Sequence, residues 1–222
     1  MKRFILLLGA VAFVAIVAKA ADSINTSELR AKAESGDAES QRMLAIYYRL
    51  GIVFERNHVE AAKWYRKAAD QGDATAQYHL GELYANGMGV IKDEGEAAKW
   101  CRKAAEQGAA NAQVNLGVLY AKGEGVVKNE GEAAKWYRKA AEQGDATAQY
   151  NLGILYAIGV GVAKDQVEAY AWLNLAALKD EDGRTQRDNL EKILSREEIA
   201  AGQRRTRELQ KEIESKIKTA GK

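Results

Sequence analysis

The sequence predicts an all-α fold, a solenoid of stacked antiparallel helix pairs, and three observations carry that prediction. The first is a fixed period of 36 residues, with tryptophans at 64, 100, 136 and 172. Gln77, Gln113 and Gln149 keep the same step, as do Gly81, Gly117 and Gly153, then Tyr84, Tyr120 and Tyr156. A period of this size marks an array in which each unit buries its apolar face against its neighbours. The second is the pair of helix signals inside each period. The third is the absence of proline, which suits a chain of helices joined by short turns.

Residues 73–108 show the elements of one unit. Asp73 is an N-cap residue for a first helix running to about Asn86. Ala76, Leu80, Leu83 and Tyr84 fall at helical spacing on one stripe. Gly81 interrupts that stripe at a cost of about 1 kcal/mol of helix propensity, so its recurrence predicts close approach of a neighbouring helix. Gly87-Met88-Gly89 ends the helix, since glycine takes positive φ freely. Asp93 then caps a second helix, and Glu96 three residues on predicts a reciprocal capping box. Asn57/Glu60, Asn129/Glu132 and Asp165/Glu168 repeat the device. Ala97, Trp100, Cys101, Ala104 and Ala105 form the inner face of the second helix, with Lys99, Arg102 and Lys103 outside. Gly36, Gly72, Gly108 and Gly144 close the second helices.

These residues resemble the Sel1-like repeat, a relative of the tetratricopeptide repeat. The resemblance rests on A-x-A-Q-x-x-L-G-x-x-Y-x-x-G-x-G-V, then K-D/N-x-x-E-A-x-x-W and K-A-A-E-Q-G. It is close over 73–144, good over 145–180 and looser over 37–72, where Ala45 stands for the glycine. The family often has proline after G-x-G-V, where this chain has Ile91, Val127 and Ala163. The resemblance implies an α/α superhelix that presents a surface to protein partners. The expected organisation is a signal peptide at 1–20, a half repeat at 21–36 and repeats at 37–72, 73–108, 109–144 and 145–180. A C-terminal helical cap follows at 181–222. Within that cap, helices are expected near Thr185–Leu194 and from Arg196 to about Lys218. The second carries a narrow apolar stripe of Ile199, Leu209, Ile213 and Ile217, which suits an array cap or a peripheral docking helix.

The N-terminal segment reads as an export signal. Lys2 and Arg3 precede the apolar run Phe4 to Ala18, and Ala18-Lys19-Ala20 supplies small residues for cleavage near Ala20/Ala21. The expectation is a periplasmic or secreted protein. The chain is formally +2, and loss of residues 1–20 would leave it at −1. Near neutrality argues against a general nucleic-acid binder. A single cysteine, Cys101, allows no internal disulfide.

Candidate chemistry is sparse. G-x-G-V follows a helix rather than a strand and lacks the Lys-Ser/Thr ending of a phosphate loop. Cys101 shares its register with Tyr65, Tyr137 and Leu173, which marks a packing position. His58 and His79 lie on different helices without ligand spacing, and His58, beside the Asn57 cap, is expected in solvent. The cations Lys63, Arg66, Lys67, Lys99, Arg102, Lys103, Lys135, Arg138 and Lys139 stand three or four residues from carboxylates and read as paired surface residues. No catalytic residue, metal ligand or cofactor is predicted.

The residues that vary while the scaffold repeats are more informative. Position 79 and its counterparts read Met43, His79, Asn115 and Asn151. One turn on stand Ile46, Glu82, Val118 and Ile154, then Leu50, Asn86, Lys122 and Ile158. These lie on the face that lines the concave side in related superhelices. His79, Glu82, Asn86, Asn115, Lys122 and Asn151 are therefore the predicted binding residues for a protein or peptide partner. Relatives are implicated in envelope signalling and host contact. A rival reading is a β-lactamase-like or penicillin-binding enzyme, as described for cysteine-rich relatives, but those carry a cysteine pair in each repeat. A structural envelope protein is a further alternative.

Overall fold

The computed structural model describes residues 26–220, so the predicted signal peptide lies outside the described residues. Among these, eleven α-helices and no strand are present. They are α1 Thr26–Glu34, α2 Ala38–Leu50, α3 His58–Asp70, α4 Ala74–Asn86, α5 Glu94–Glu106 and α6 Ala110–Lys122. Then follow α7 Glu130–Ala141, α8 Ala146–Ile158, α9 Gln166–Ala176, α10 Glu181–Glu191 and α11 Arg196–Ala220. The chain divides into two compact units between Trp100 and Cys101.

In the first unit α1 packs on α2, α2 on α3 and α3 on α4. Large side chains are set against small ones: Leu44, Tyr65, Leu80 and Leu83 are fully buried among Ala33, Ala61, Ala68 and Ala76. In the second unit α6 pairs with α7 and α8 with α9, and α7 also meets α8. Trp172, Leu152, Ala140 and Ala148 are fully buried there.

The predicted caps hold the first helices. Asp73 accepts from the Ala76 N–H at 2.7 Å, and Asp145 from the Ala148 N–H at 2.8 Å. Gly87, Gly123 and Gly159 end their helices with φ of 66°, 79° and 73°, each donating its N–H to a carbonyl one turn back. The glycine inside the stripe is explained as well. A Cβ on Gly117 would stand 2.6 Å from the Tyr137 ring, and one on Gly153 2.7 Å from Leu173 Cγ.

The reciprocal capping box does not form in the repeats. The Asp93 side chain does cap the Glu96 N–H at 2.9 Å, but the Asp93 N–H goes to Tyr84 O at 3.1 Å. The Glu96 carboxylate instead accepts from Lys99 Nζ at 2.7 Å and from Trp100 Nε1 at 2.9 Å. Asn57, Asn129 and Asp165 likewise donate their N–H to Tyr48, Tyr120 and Tyr156. A buried indole N–H needs an acceptor, and Glu96 and Glu168 supply it to Trp100 and Trp172, whereas Trp136 Nε1 is buried without a partner among the described residues. The full box appears at Ser195/Glu198, with bonds of 2.8 and 3.2 Å.

The second glycine of the G-x-G does more than turn the chain at Gly89 and Gly161. A Cβ on Gly161 would lie 2.3 Å from Glu130 O, and one on Gly89 2.1 Å from His58 O. Each of these turns therefore rests on the backbone that opens the preceding second helix. His58 is accordingly not in solvent. It is half-buried, and its Nδ1 is buried without a hydrogen-bond partner among the described residues.

Buried glutamines tie the units internally. Gln41, Gln77, Gln113 and Gln149 donate Nε2 to the carbonyls of Ala33, Ala69, Ala105 and Ala141 at 3.0–3.2 Å. Gln41 Oε1 accepts from Gln71 Nε2 at 2.7 Å, and Gln113 Oε1 from Gln143 Nε2 at 2.8 Å.

The C-terminal segment differs from expectation at one boundary. α10 starts at Glu181 rather than near Thr185, because Asp180 caps it through the Gly183 N–H at 3.0 Å. Gly183 is buried within the helix, where a Cβ would come within 2.8 Å of Ala176. α11 packs on α9, with Gly202 against Tyr170 and Leu209 and Ile213 buried. Arg205 Nε donates to Glu168 at 2.6 Å and Lys216 Nζ to Glu142 at 2.6 Å. Most of its apolar stripe thus covers the repeats, and Ile217 is left exposed. No helix among the described residues is long and apolar enough to cross a membrane.

Candidate functional site

The basic ladder is occupied internally. Lys63, Lys99 and Lys135 pair with Glu60, Glu96 and Glu132 at 2.6–2.7 Å. Arg66 and Arg138 donate to the hydroxyls of Tyr84 and Tyr156 and lie over those rings. Lys67 and Lys139 lie over Trp64 and Trp136 at 4.1 and 3.8 Å. The three Lys–Glu pairs offset their charge, whereas the cations over tyrosine and tryptophan rings keep theirs and are fixed in place along the second helices.

Cys101 is a packing residue. It is 4% exposed, and its Sγ donates to Ala112 O at 3.1 Å. Among the described residues no group of three or more His, Cys, Asp or Glu is placed to hold a metal.

The predicted binding residues fall into the two units and differ in state. In the first unit, His79 Nδ1 stands 2.8 Å from Glu82 Oε2, and Tyr78 Oη donates to Glu82 Oε1 at 2.9 Å. The His79 ring is half-buried, with the rings of Tyr65 at 5.3 Å and Tyr78 at 5.0 Å. Burial pushes the Glu82 carboxyl up, but the hydrogen bonds from His79 and Tyr78 outweigh it and hold the group below its usual range. Asn86 is exposed at the helix end and donates Nδ2 to Glu82 O at 2.8 Å. The three residues are brought together, as one short cluster on α4.

In the second unit, Lys122 is exposed and its Nζ stands 3.7 Å from Glu124. Asn115 and Asn151 are half-buried at equivalent positions of α6 and α8, 36 residues apart. Neither side-chain amide makes a hydrogen bond among the described residues. Val118 and Ile154, one turn on, are half-buried beside them.

Sequence reasoning named Glu82 but missed its two neighbours as partners. The i, i+3 and i, i+4 spacings of His79 and Tyr78 to Glu82 were the available signal. It also missed Arg49, whose Nε donates to Tyr65 Oη at 3.1 Å. No local pattern announces that bond, because the partners sit on different helices.

Comparison with known proteins follows the same repeats. The Sel1 repeat model matches residues 38–73, 74–108, 110–145 and 146–181. No curated protein sequence matches the chain. A protective antigen of uropathogenic Escherichia coli strains, displaying an SLR fold, is 38% identical over 83% of this chain with a TM-score of 0.77. This chain spans only 40% of that structure's length. A Sel1 repeat protein from Oxalobacter formigenes is 36% identical with a TM-score of 0.72, over 80% of this chain and 74% of its own. Four matched repeats cover more than half of the chain, and it belongs to the Sel1 repeat family.

Proposed function

We propose that the chain is an exported scaffold that binds a protein or peptide partner through the exposed faces of its first helices. The observation that carries this reading is the division of labour along the repeat. Trp, Gln and Gly positions are consumed by internal packing, and the second-helix cations by Glu, Tyr and Trp. The first helices keep unlike, partly exposed groups at equivalent positions, with His79, Glu82 and Asn86 in one unit and Asn115, Lys122 and Asn151 in the other. Such a surface distinguishes partners by what differs from repeat to repeat.

Export rests on the charged, apolar and A-x-A sections of residues 1–20. N-terminal sequencing of protein from the envelope fraction tests it, and a chain still beginning at Met1 would reject cleavage. A role in envelope signalling or host contact is part of the same proposal, and its support is the likeness to a protective antigen of uropathogenic E. coli strains. Crosslinking and pull-down from envelope fractions tests the binding reading, with His79→Ala/Glu82→Ala and Asn115→Ala/Asn151→Ala as paired variants. At least one variant should lose the recovered partner. Equal recovery with both rules out these faces as the binding surface.

A further inference from the structure

We propose a separate site in the last repeat: a pocket beneath α11 that takes a small uncharged molecule bearing a primary carboxamide on an aliphatic body. The observation behind it is an interruption in the series of buried glutamines. In the preceding repeat, Gln113 Oε1 accepts from Gln143 Nε2 at 2.8 Å, and the same Nε2 reaches Gly108 O at 3.0 Å. One period on, Gln149 and Gly144 stand where Gln113 and Gly108 do, but Lys179 stands where Gln143 does. Lys179 Nζ donates to Gly144 O at 3.2 Å. Gln149 is 4% exposed and keeps its Nε2 bond to Ala141 O, while its Oε1 has no hydrogen-bond partner among the described residues.

That unmet acceptor belongs to a residue lining a cavity. Gly144, Gln149 and Lys179 share a pocket of about 250 Å³ with Leu175, Leu178, Ile213 and Ile217. α11 closes one side, with Ile213 and Ile217 standing 3.7 and 3.9 Å from where a Gly144 Cβ would lie. Sites for drug-sized ligands run from about 300 to 1,000 Å³, so the occupant here is compact. Two polar groups are left to meet it. Gln149 Oε1 needs a donor, and the Lys179 ammonium has three hydrogens of which Gly144 O takes one. A primary carboxamide answers both, its NH2 donating to Gln149 and its carbonyl accepting from Lys179. It is also the group that Gln143 inserts one repeat earlier. A carboxylate would satisfy Lys179 and leave the buried acceptor unmet. Glu214 lines the same pocket, bonded to Gln210 at 3.1 Å, and offsets the charge of Lys179, which favours a neutral ligand. The aliphatic body rests on Leu178 and Ile217, 69% and 54% exposed, and removes their apolar surface from water.

The test is a ligand-observed NMR titration of the whole protein with hexanamide, N,N-dimethylhexanamide and hexanoate. Hexanamide should bind saturably. The other two lack the N–H donor and should bind about 10-fold more weakly, as loss of a bond to a buried acceptor does. Lys179→Gln supplies a carboxamide from the chain itself, so it should raise the midpoint of thermal unfolding and weaken hexanamide binding about 10-fold or more. Ile217→Trp, at an exposed position on the pocket wall, should block the ligand without touching the glutamine bonds, and it keeps the test decisive should Lys179→Gln fail to fold. His79→Ala/Glu82→Ala and Asn115→Ala/Asn151→Ala should leave the titration unchanged, so the pocket and the partner surface stand or fall separately.

Absence of saturable hexanamide binding would overturn the proposal. So would hexanoate or the dimethyl amide binding as tightly, or hexanamide binding indifferent to both Lys179→Gln and Ile217→Trp.

Discussion

Replacing Gly161 with alanine isolates the contact that locks one repeat turn onto the preceding helix. Gly161 has φ of 71°, and a left-handed conformation costs an L-residue about 1–2 kcal/mol. The added Cβ would also stand 2.3 Å from Glu130 O, 2.4 Å from Glu130 C and 2.9 Å from Gly131 N. These are backbone atoms at the start of α7, so no side chain can swing away. Relief requires the turn and α7 to separate, and overpacking of this kind costs roughly 1–3 kcal/mol. The total is about 2–5 kcal/mol, to be set against the 5–15 kcal/mol typical of a domain.

Gly159→Ala is the internal control. Its φ is 73°, and its Cβ would meet chiefly the Lys164 Cβ, at 2.9 Å. It should carry the left-handed cost of about 1–2 kcal/mol with a smaller clash. Urea unfolding followed by circular dichroism gives both values. In a stacked array the loss of one interface also lowers cooperativity, so the Gly161 variant should show a shallower transition. Equal midpoints and slopes for the two variants would refute the interlock.

Three further outcomes are expected. Trp172→Ala, at a fully buried site bonded to Glu168 at 3.0 Å, should destabilise by about 3–5 kcal/mol in the same urea assay. The Cys101 thiol, buried and bonded to Ala112 O, should resist a thiol reagent in the native protein and react fully in denaturant. Tyr137 is pushed up to about 12 by burial. A phenol whose folded value lies above its unfolded value near 10 favours the fold while protonated, so stability should fall as pH rises from about 10 to about 12. Tyr137→Phe should remove that component of the alkaline loss, measured by midpoint against pH.

Period and polarity made the helices legible. Asp73 before an apolar stripe, and glycine at 87, 123 and 159, announce helix ends through local chemistry that needs no tertiary partner. Gly117 was legible for the opposite reason: a residue that weakens a helix recurs only where something must come close, and the Tyr137 ring does. Long-range choices were not legible. Whether the Glu96 carboxylate turns back to its cap or forward to the Trp100 indole depends on where the Asp93 N–H goes, and that is settled by Tyr84 on another helix. The early start of α10 has the same origin, since Gly183 reads as a helix breaker until Ala176 is seen against it. In the candidate site, spacing located the variable face. It did not separate the engaged His79, Asn86 and Lys122 from the free Asn115 and Asn151, because that distinction lies in the bonds each side chain makes.

The buried glutamines bear on how such a chain changes length over evolutionary time. Gln113 donates to Ala105 O and accepts from Gln143, so its polar needs are met by segments eight residues behind it and thirty ahead. Every partner falls within one period, and none depends on how many periods the chain contains. Tandem duplication or excision of a whole 36-residue block therefore rejoins donors to acceptors of the same kind. A cut of any other size leaves a buried amide unmatched, at a cost of about 1–3 kcal/mol. Selection against such orphans would keep gene-level rearrangements in register, so relatives of unequal size should differ by whole blocks.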